Sequence, residues 1–207
     1  VLSRNNDSGV SGIMVANADK GWIAVPGIRD RADRTLEEQM AGLEQAVAEC
    51  KGKTIIDLGC AEGLIGREFA RAGAVDVLGI ELLESHLMVA RKACKDQMPP
   101  MRFECAHMDN WIASHEPPDL FDIVLCLGIA HKVREPRTVM RFSCRSARDL
   151  VCFRAPAKNW DGWFAAKHSG RKCHVPTVMA EHGFAFEKKA EGQRGEAVEY
   201  WRRKSPP

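Results

Sequence analysis

Apolar positions change period repeatedly along the chain, from short runs of strand type to the spacing of one helix face. Ile55-Ile56-Asp57-Leu58 reads as a strand, broken at once by a glycine-rich turn, Gly59 to Gly63. Ile65 and Phe69 then share one face of a predicted helix. The unit recurs. Val75 to Ile80 is a second strand ending in Glu81, followed by a helix with Leu83, Leu87, Ala90 and Cys94 on one face, stopped by Pro99-Pro100. Met101 to Ala106 is a third strand, and His107 to Trp111 a loop and short turn. Leu120 to Leu127 is almost continuously apolar, as a central strand buried on both faces must be. Pro136 suits a first helical turn, which predicts a helix to about residue 147, and Leu150 to Arg154 is the fifth strand. Strands alternating with helices in this way imply crossover connections and a parallel sheet.

The two ends differ from this middle. Residues 1–20 are polar and read as a loose arm, and Trp22 to Gly27 is a short apolar segment closed by Pro-Gly. Thr35 and Glu38 have capping-box spacing, and Leu36, Met40, Leu43 and Val47 predict one helix over 35–50, placed on the sheet edge or as a lid. Near the C-terminus, residues 155–174 read as a long polar and aromatic loop, and a short helix spans about Pro176 to His182. Phe184 to Lys189 and Ala197 to Trp201 flank Gly192-Gln-Arg-Gly195, a hairpin signal. The expected architecture is therefore α/β: a doubly wound mixed sheet of about seven strands closed by a C-terminal antiparallel hairpin, with helices on both faces and an N-terminal helical extension. Residues 1–50 form the arm and the edge or lid helix, and 51–207 the main domain, within one globular unit.

Composition narrows the class without naming it. The chain has 207 residues, 45% hydrophobic and 28% charged, which fits one substantial domain rather than two. A net charge of +2 demands no nucleic-acid partner. No apolar run reaches the ~20 residues of a membrane helix, and the start lacks a signal-peptide core, so a cytoplasmic protein is expected. Val1 is not an initiator methionine, and a start further upstream is expected. Eight cysteines form no C-x-x-C pair and read as reduced, buried thiols. His168, Cys173, His174 and His182 match no familiar zinc spacing, and no metal is expected.

The turn after the first strand selects its ligand by charge. A dinucleotide fingerprint needs glycines that Ala61 and Leu64 replace, and Glu62 puts a carboxylate where a pyrophosphate would lie. A ligand bearing an ammonium and a sulfonium suits that turn better, and a dehydrogenase less well.

Asp57-Leu-Gly-Cys-Ala-Glu-Gly63 resembles the first motif of class I S-adenosylmethionine-dependent methyltransferases, which are Rossmann-like. The likeness extends over about residues 50–203 and departs at Ala61, where glycine is commonest. It implies S-adenosylmethionine as cofactor and S-adenosylhomocysteine as product. By the same resemblance, Gly59, Cys60, Ala61, Glu62 and Gly63 would lie against the methionyl part, with Asp57 organising its amino group. Glu81, followed by Leu82, would accept both ribose hydroxyls, since one carboxylate offers two acceptors to two adjacent donors. Asp109 would face the adenine amino group between Met108 and Trp111, and Leu127-Gly128 would floor the site. Each has a plainer reading: Asp57 as a cap of the turn, Glu81 as the first acid of a helix, Trp111 as core.

Leu127-Gly-Ile-Ala-His-Lys-Val-Arg-Glu-Pro136 resembles a segment of many small-molecule and some tRNA-modifying members of that superfamily. His131 is placed to remove a proton from the acceptor, or alternatively to anchor the loop. Trp160, Trp163, Lys167 and Arg171 suit an aromatic or anionic acceptor, and equally a base with its phosphates. A small-molecule acceptor is the preferred partner. An RNA methyltransferase and a cofactor-binding pseudoenzyme serving as a scaffold remain the alternatives, with no membrane partner expected and the oligomeric state open.

Overall fold

The computed structural model describes residues 21–115, 120–155 and 161–204. The arm expected over residues 1–20 and the predicted acceptor residue Trp160 lie outside the described residues.

Eleven strands and seven α-helices are described, in the order β1 Gly21–Ile23, β2 Ala32–Arg34, α1 Leu36–Met40, α2 Glu44–Glu49, β3 Thr54–Leu58, α3 Leu64–Arg71, β4 Asp76–Glu81, α4 Glu84–Ala93, β5 Arg102–Cys105, α5 Met108–Ser114, β6 Phe121–Cys126, α6 Pro136–Ser146, β7 Ala147–Ala155, β8 Trp163–Ala165, β9 Lys172–His174, α7 Val175–Glu181, β10 Phe184–Glu191 and β11 Ala197–Arg203. Seven strands form one sheet in the order β10-β11-β7-β6-β3-β4-β5. Strands β5, β4, β3, β6 and β7 are parallel, while β11 runs antiparallel to both β7 and β10. The winding reverses beside β3: the chain steps outward to β4 and β5, then crosses back to β6 and β7. In an open sheet a crevice forms at the carboxyl ends of the strands at that reversal.

Strand pleating distributes the core to two faces. Ile56, Leu58, Val124, Cys126, Val151 and Phe153 point to the side covered by α5, α6 and α7. Ile55, Ile123, Leu125, Leu150 and Cys152 point to the other, against α3 and the N-terminal helices. Seven of the eight cysteines are buried and all are free; only Cys105 is exposed.

Three expectations are corrected. The helix expected over 35–50 is two short helices broken at Ala41-Gly42. Gly42 adopts φ +84°, its carbonyl accepts the Tyr200 hydroxyl at 2.7 Å, and a Cβ there would crowd Val198 and the Glu191 carbonyl at 3.1 Å. The break thus seats α2 on the C-terminal hairpin, and only glycine takes this backbone without strain. The capping box of Thr35 and Glu38 is present, as the spacing required. Where His107 to Trp111 was expected as a loop and short turn, residues 108–114 are helical, with Trp111 and Ile112 buried beneath. The segment expected as a long loop contains a small antiparallel hairpin, β8 with β9, whose inward residues are Phe164 and Cys173.

Residues 21–34 also hold structure that hydropathy did not signal. β1 and β2 form a two-stranded parallel sheet. Trp22 and Ile23 donate their backbone N–H groups to the Glu62 carboxylate at 2.8 and 2.9 Å. This segment is thereby tied to the start of α3.

Candidate active site

A cleft of about 410 Å³ opens at the carboxyl ends of β3, β4 and β6, within the range of small-molecule sites. Its inner wall comes from the turn after β3, through Gly59 and Ala61. Gly59 has φ +82°, and a Cβ there would meet Ile129 at 3.1 Å, so glycine is needed for both the turn and the close approach. Ala61 holds φ +47°, an unfavourable backbone for a residue with a Cβ. The alanine noted as a departure in sequence therefore sits where glycine would relieve strain.

Glu81 faces this cleft from the end of β4. One of its oxygens accepts the Ala61 N–H at 3.1 Å and the other the Leu83 N–H at 3.0 Å. The carboxylate is thus oriented by backbone on both sides, and each oxygen retains a lone pair for a ligand hydroxyl. Leu82, Met108, Leu127 and Gly128 also line the cleft, all four predicted from sequence.

Beneath the turn, Asp57 is 1% exposed and one carboxylate oxygen has no hydrogen-bond partner. Burial pushes its carboxyl up to about 7; the Arg154 guanidinium opposes the rise and Glu81 adds to it. A buried, unpartnered carboxylate oxygen is costly unless a donor arrives, and a ligand ammonium is such a donor. These features fit a cofactor with two vicinal hydroxyls at one end and an amino group at the other.

Other predicted residues are placed differently. Glu62 is fully buried and does not line the cleft. Its oxygens hold Trp22 and Ile23, with Arg29 at 3.4 Å. The acid read as repelling a pyrophosphate thus serves mainly to fasten β1. Cys60 turns its thiol into a small core cluster with Leu87 and Ala90, leaving only backbone toward the turn. Gly63 caps α3 in the left-handed region. Trp111 is core: it packs edge-on against Phe142, stacks on His115, and donates its indole N–H to Glu104 at 2.6 Å. Asp109 accepts the Arg134 N–H through one oxygen at 3.3 Å, while its other oxygen is buried without a partner.

Beside the cleft, His131 lines a smaller hollow with Gly128, Ala130, Phe153, Arg154 and Phe164. Burial, then the Lys167 and Lys132 ammonium groups, push His131 down to about 4. The His131 carbonyl accepts the Lys167 N–H at 2.8 Å. Trp163 and Arg171 are not brought to the cleft. Trp163 is exposed and stacks on His174, and Arg171 pairs with Glu135.

Several cleft residues went unforeseen. Trp22 lines the cleft, with the Lys132 ammonium 4.6 Å from its ring centroid. His86 lines the wall between Glu62 and Glu81, 3.8 Å from each, with both ring nitrogens unpartnered. His168, read from sequence against zinc spacing and among the cations of the 155–174 loop, lines the cleft too. Among the described residues no group of three metal-ligating side chains is present.

Comparison with known proteins agrees with this geometry. A family model described as a methyltransferase domain matches residues 55–149. The magnesium protoporphyrin IX methyltransferase of Synechocystis PCC 6803, solved with bound S-adenosylhomocysteine, superposes with a TM-score of 0.61 at 16% identity, covering 78% of this chain and 82% of that one. Residues 55–149 thus match a methyltransferase domain, and the sheet around them has the fold of that methyltransferase. Among curated relatives, a ubiquinone biosynthesis O-methyltransferase of Neisseria meningitidis serogroup C is 33% identical over 95 residues, 45% of this chain and 39% of the relative. The chain spans under half the length of the curated relatives it matches. The methyltransferase fold does not dictate one reaction: the [4+2]-cyclase SpnF shares it with a TM-score of 0.59 at 15% identity, over 79% of this chain and 81% of that one. No described helix is long and apolar enough to cross a membrane.

Proposed function

We propose that this chain binds S-adenosylmethionine in the cleft and transfers its methyl group to an oxygen of a small anionic or aromatic acceptor, releasing S-adenosylhomocysteine. Glu81 carries the reading. It is a carboxylate at the end of the second sheet strand, held by two backbone N–H groups, with lone pairs turned to a cleft of nucleoside size. Oxygen as acceptor atom follows the names of the curated relatives, O-methyltransferases.

When bound, the cofactor supplies a methyl carbon activated by a sulfonium. The chain's own part is alignment. Glu81 accepts the ribose hydroxyls, the Gly59–Ala61 backbone lies along the methionyl part, and Asp57 takes the ammonium. Leu82 and Met108 flank the base, with Asp109 toward its amino group, and Leu127-Gly128 floors the site. Trp22 adds an apolar ring to the same lining.

His131 is neutral throughout the physiological range, able to accept a hydrogen bond from an acceptor hydroxyl. At about 4 it is a weak proton acceptor, and general-base efficiency falls as the base pKa drops below working pH. The Lys167 and Lys132 charges that depress His131 also favour an acceptor oxyanion. An acidic hydroxyl, as on an aromatic ring, is the one this arrangement serves. Free, mostly buried thiols fit a reducing compartment, and we place the protein in the cytoplasm. We take residues 21–49, which pack on the sheet and the α3 start, as part of the same unit. The test is S-adenosylhomocysteine release from S-adenosylmethionine with a pool of phenolic and catecholic acids against release with total RNA. Release with the phenols alone is expected, and release with RNA alone would overturn the acceptor class.

A further inference from the structure

Gln39, on α1, is only 3% exposed, and its side-chain oxygen accepts two donors from distant parts of the chain. The indole N–H of Trp22, a cleft-lining residue, reaches it at 3.3 Å, and the Arg154 guanidinium at 2.7 Å. A second Arg154 nitrogen donates to the Gln39 carbonyl at 2.5 Å. The two donors fix the orientation of the amide, since only its oxygen can accept them. Its nitrogen is then left buried without a partner.

For stability alone a carboxylate would serve better at this position. It has the same shape, two acceptor oxygens, no stranded donor, and a charge opposite to that of a buried arginine. Among the described residues no carboxylate pairs with Arg154; Glu196, the acid acting on it most, is held by Arg34 at 2.7 Å. The neutral amide thus holds the guanidinium in place and leaves its charge uncancelled. Pleating puts Arg154 with Cys152, and Asp57 with Ile55, on one face of the sheet. Burial raises the Asp57 carboxyl, the Arg154 charge opposes that rise, and Glu81 adds to it. The Cys60 and Cys126 thiols beside it are pushed up by burial and stay uncharged.

Resting on the methyltransferase reading, we propose that Gln39, which does not line the cleft, is a positioning residue for the cofactor. Its oxygen sets the Trp22 ring in the cleft lining. The same neutral amide leaves the full Arg154 charge to act on Asp57, the acid assigned to the cofactor ammonium.

Gln39→Glu tests this, because it keeps both side-chain hydrogen bonds and changes only the charge beside Arg154. The Asp57 carboxyl, followed by carbon-13 NMR between pH 5 and 9 without ligand, should titrate about one pH unit higher than in the wild type. The rise of S-adenosylhomocysteine affinity with pH, measured by calorimetry, should move up by the same interval. Gln39→Met removes the acceptor instead. The Trp22 indole N–H should then exchange faster with solvent, and affinity at pH 7 should fall about fivefold, the worth of one hydrogen bond. An Asp57 titration unmoved by Gln39→Glu would overturn the proposal, and so would unchanged exchange at Trp22 in Gln39→Met. If neither variant folds, the wild type decides: its Trp22 indole resonance should shift with the Asp57 carboxyl, and a resonance flat through that midpoint overturns the proposal. Failure of the wild type to bind S-adenosylhomocysteine would instead strike the methyltransferase reading, and the ligand-free titrations would still judge the link that Gln39 makes between Trp22 and Asp57.

Discussion

On the cofactor side of the cleft, polar groups are held by backbone: the Glu81 oxygens take the Ala61 and Leu83 N–H groups, and Gly59 turns against Ile129. On the acceptor side they are held by side chains or by little at all: Lys132 rests on the Trp22 ring, and Arg154 hangs from Gln39. Backbone anchoring fixes a geometry that the local sequence must encode, while side-chain anchoring lets chemistry vary on a constant frame. The first side accordingly matches a widespread fold, and the second is where we propose that the acceptor is selected.

That contrast can be broken at its most rigid point. Glu62→Ala would leave the Trp22 and Ile23 N–H groups and the Arg29 cation without their acceptor. Removing one member of such a buried set costs ~3–5 kcal/mol. Urea unfolding and faster amide exchange at Trp22 and Ile23 would report it, and unchanged exchange would mean that β1 is held by something else. Glu81→Ala should weaken S-adenosylhomocysteine binding by ~1–3 kcal/mol, the loss of hydrogen bonds to a charged acceptor, as measured by calorimetry. Unchanged affinity would remove Glu81 from the site.

Asp57 sharpens the comparison through pH. Its folded-state pKa is raised from 3.8 to about 7 by burial, so the stability it contributes is complete below 3.8 and is lost as pH rises through about 7. Asp57→Asn should flatten that decline in thermal melts taken between pH 4 and 8. The ligand ammonium favours the ionised carboxylate, so wild-type S-adenosylhomocysteine affinity should rise across the same interval and that of the asparagine variant should not. Parallel pH profiles for the two proteins would contradict the assignment.

Smaller effects follow at the turn and the outer hairpin. Ala61→Gly relieves a left-handed backbone and should stabilise the fold by up to ~1 kcal/mol; a loss of stability would show that the methyl group packs usefully. Trp163 is exposed and does not line the cleft, so Trp163→Ala should leave turnover within about twofold. A large loss would return the outer face of β8 to the acceptor site.

What could be read in the sequence follows the same divide. The strand, turn and helix around Asp57 to Gly63 and the acid ending β4 announce themselves, because period and glycine placement act over a few neighbouring residues. Leu82, Met108, Leu127 and Gly128 came with that frame. The role of Glu62 did not, since its partners Trp22 and Ile23 lie some forty positions away. The same holds for Gln39 with Arg154, and for the seating of α2 through Gly42 and Tyr200. β2, Ala32–Arg34, carries two charges in three residues and has no apolar signature at all. Trp111 shows the reverse limit: its aromatic character suited an adenine wall, yet an intervening helix turns it into the core.

The most direct measurement is calorimetric titration of the purified chain with S-adenosylhomocysteine and, separately, with NAD. Saturable one-to-one binding of the first, lost in Glu81→Ala, with none of the second, is the predicted result. Heat from NAD alone, or from neither ligand, would contradict it.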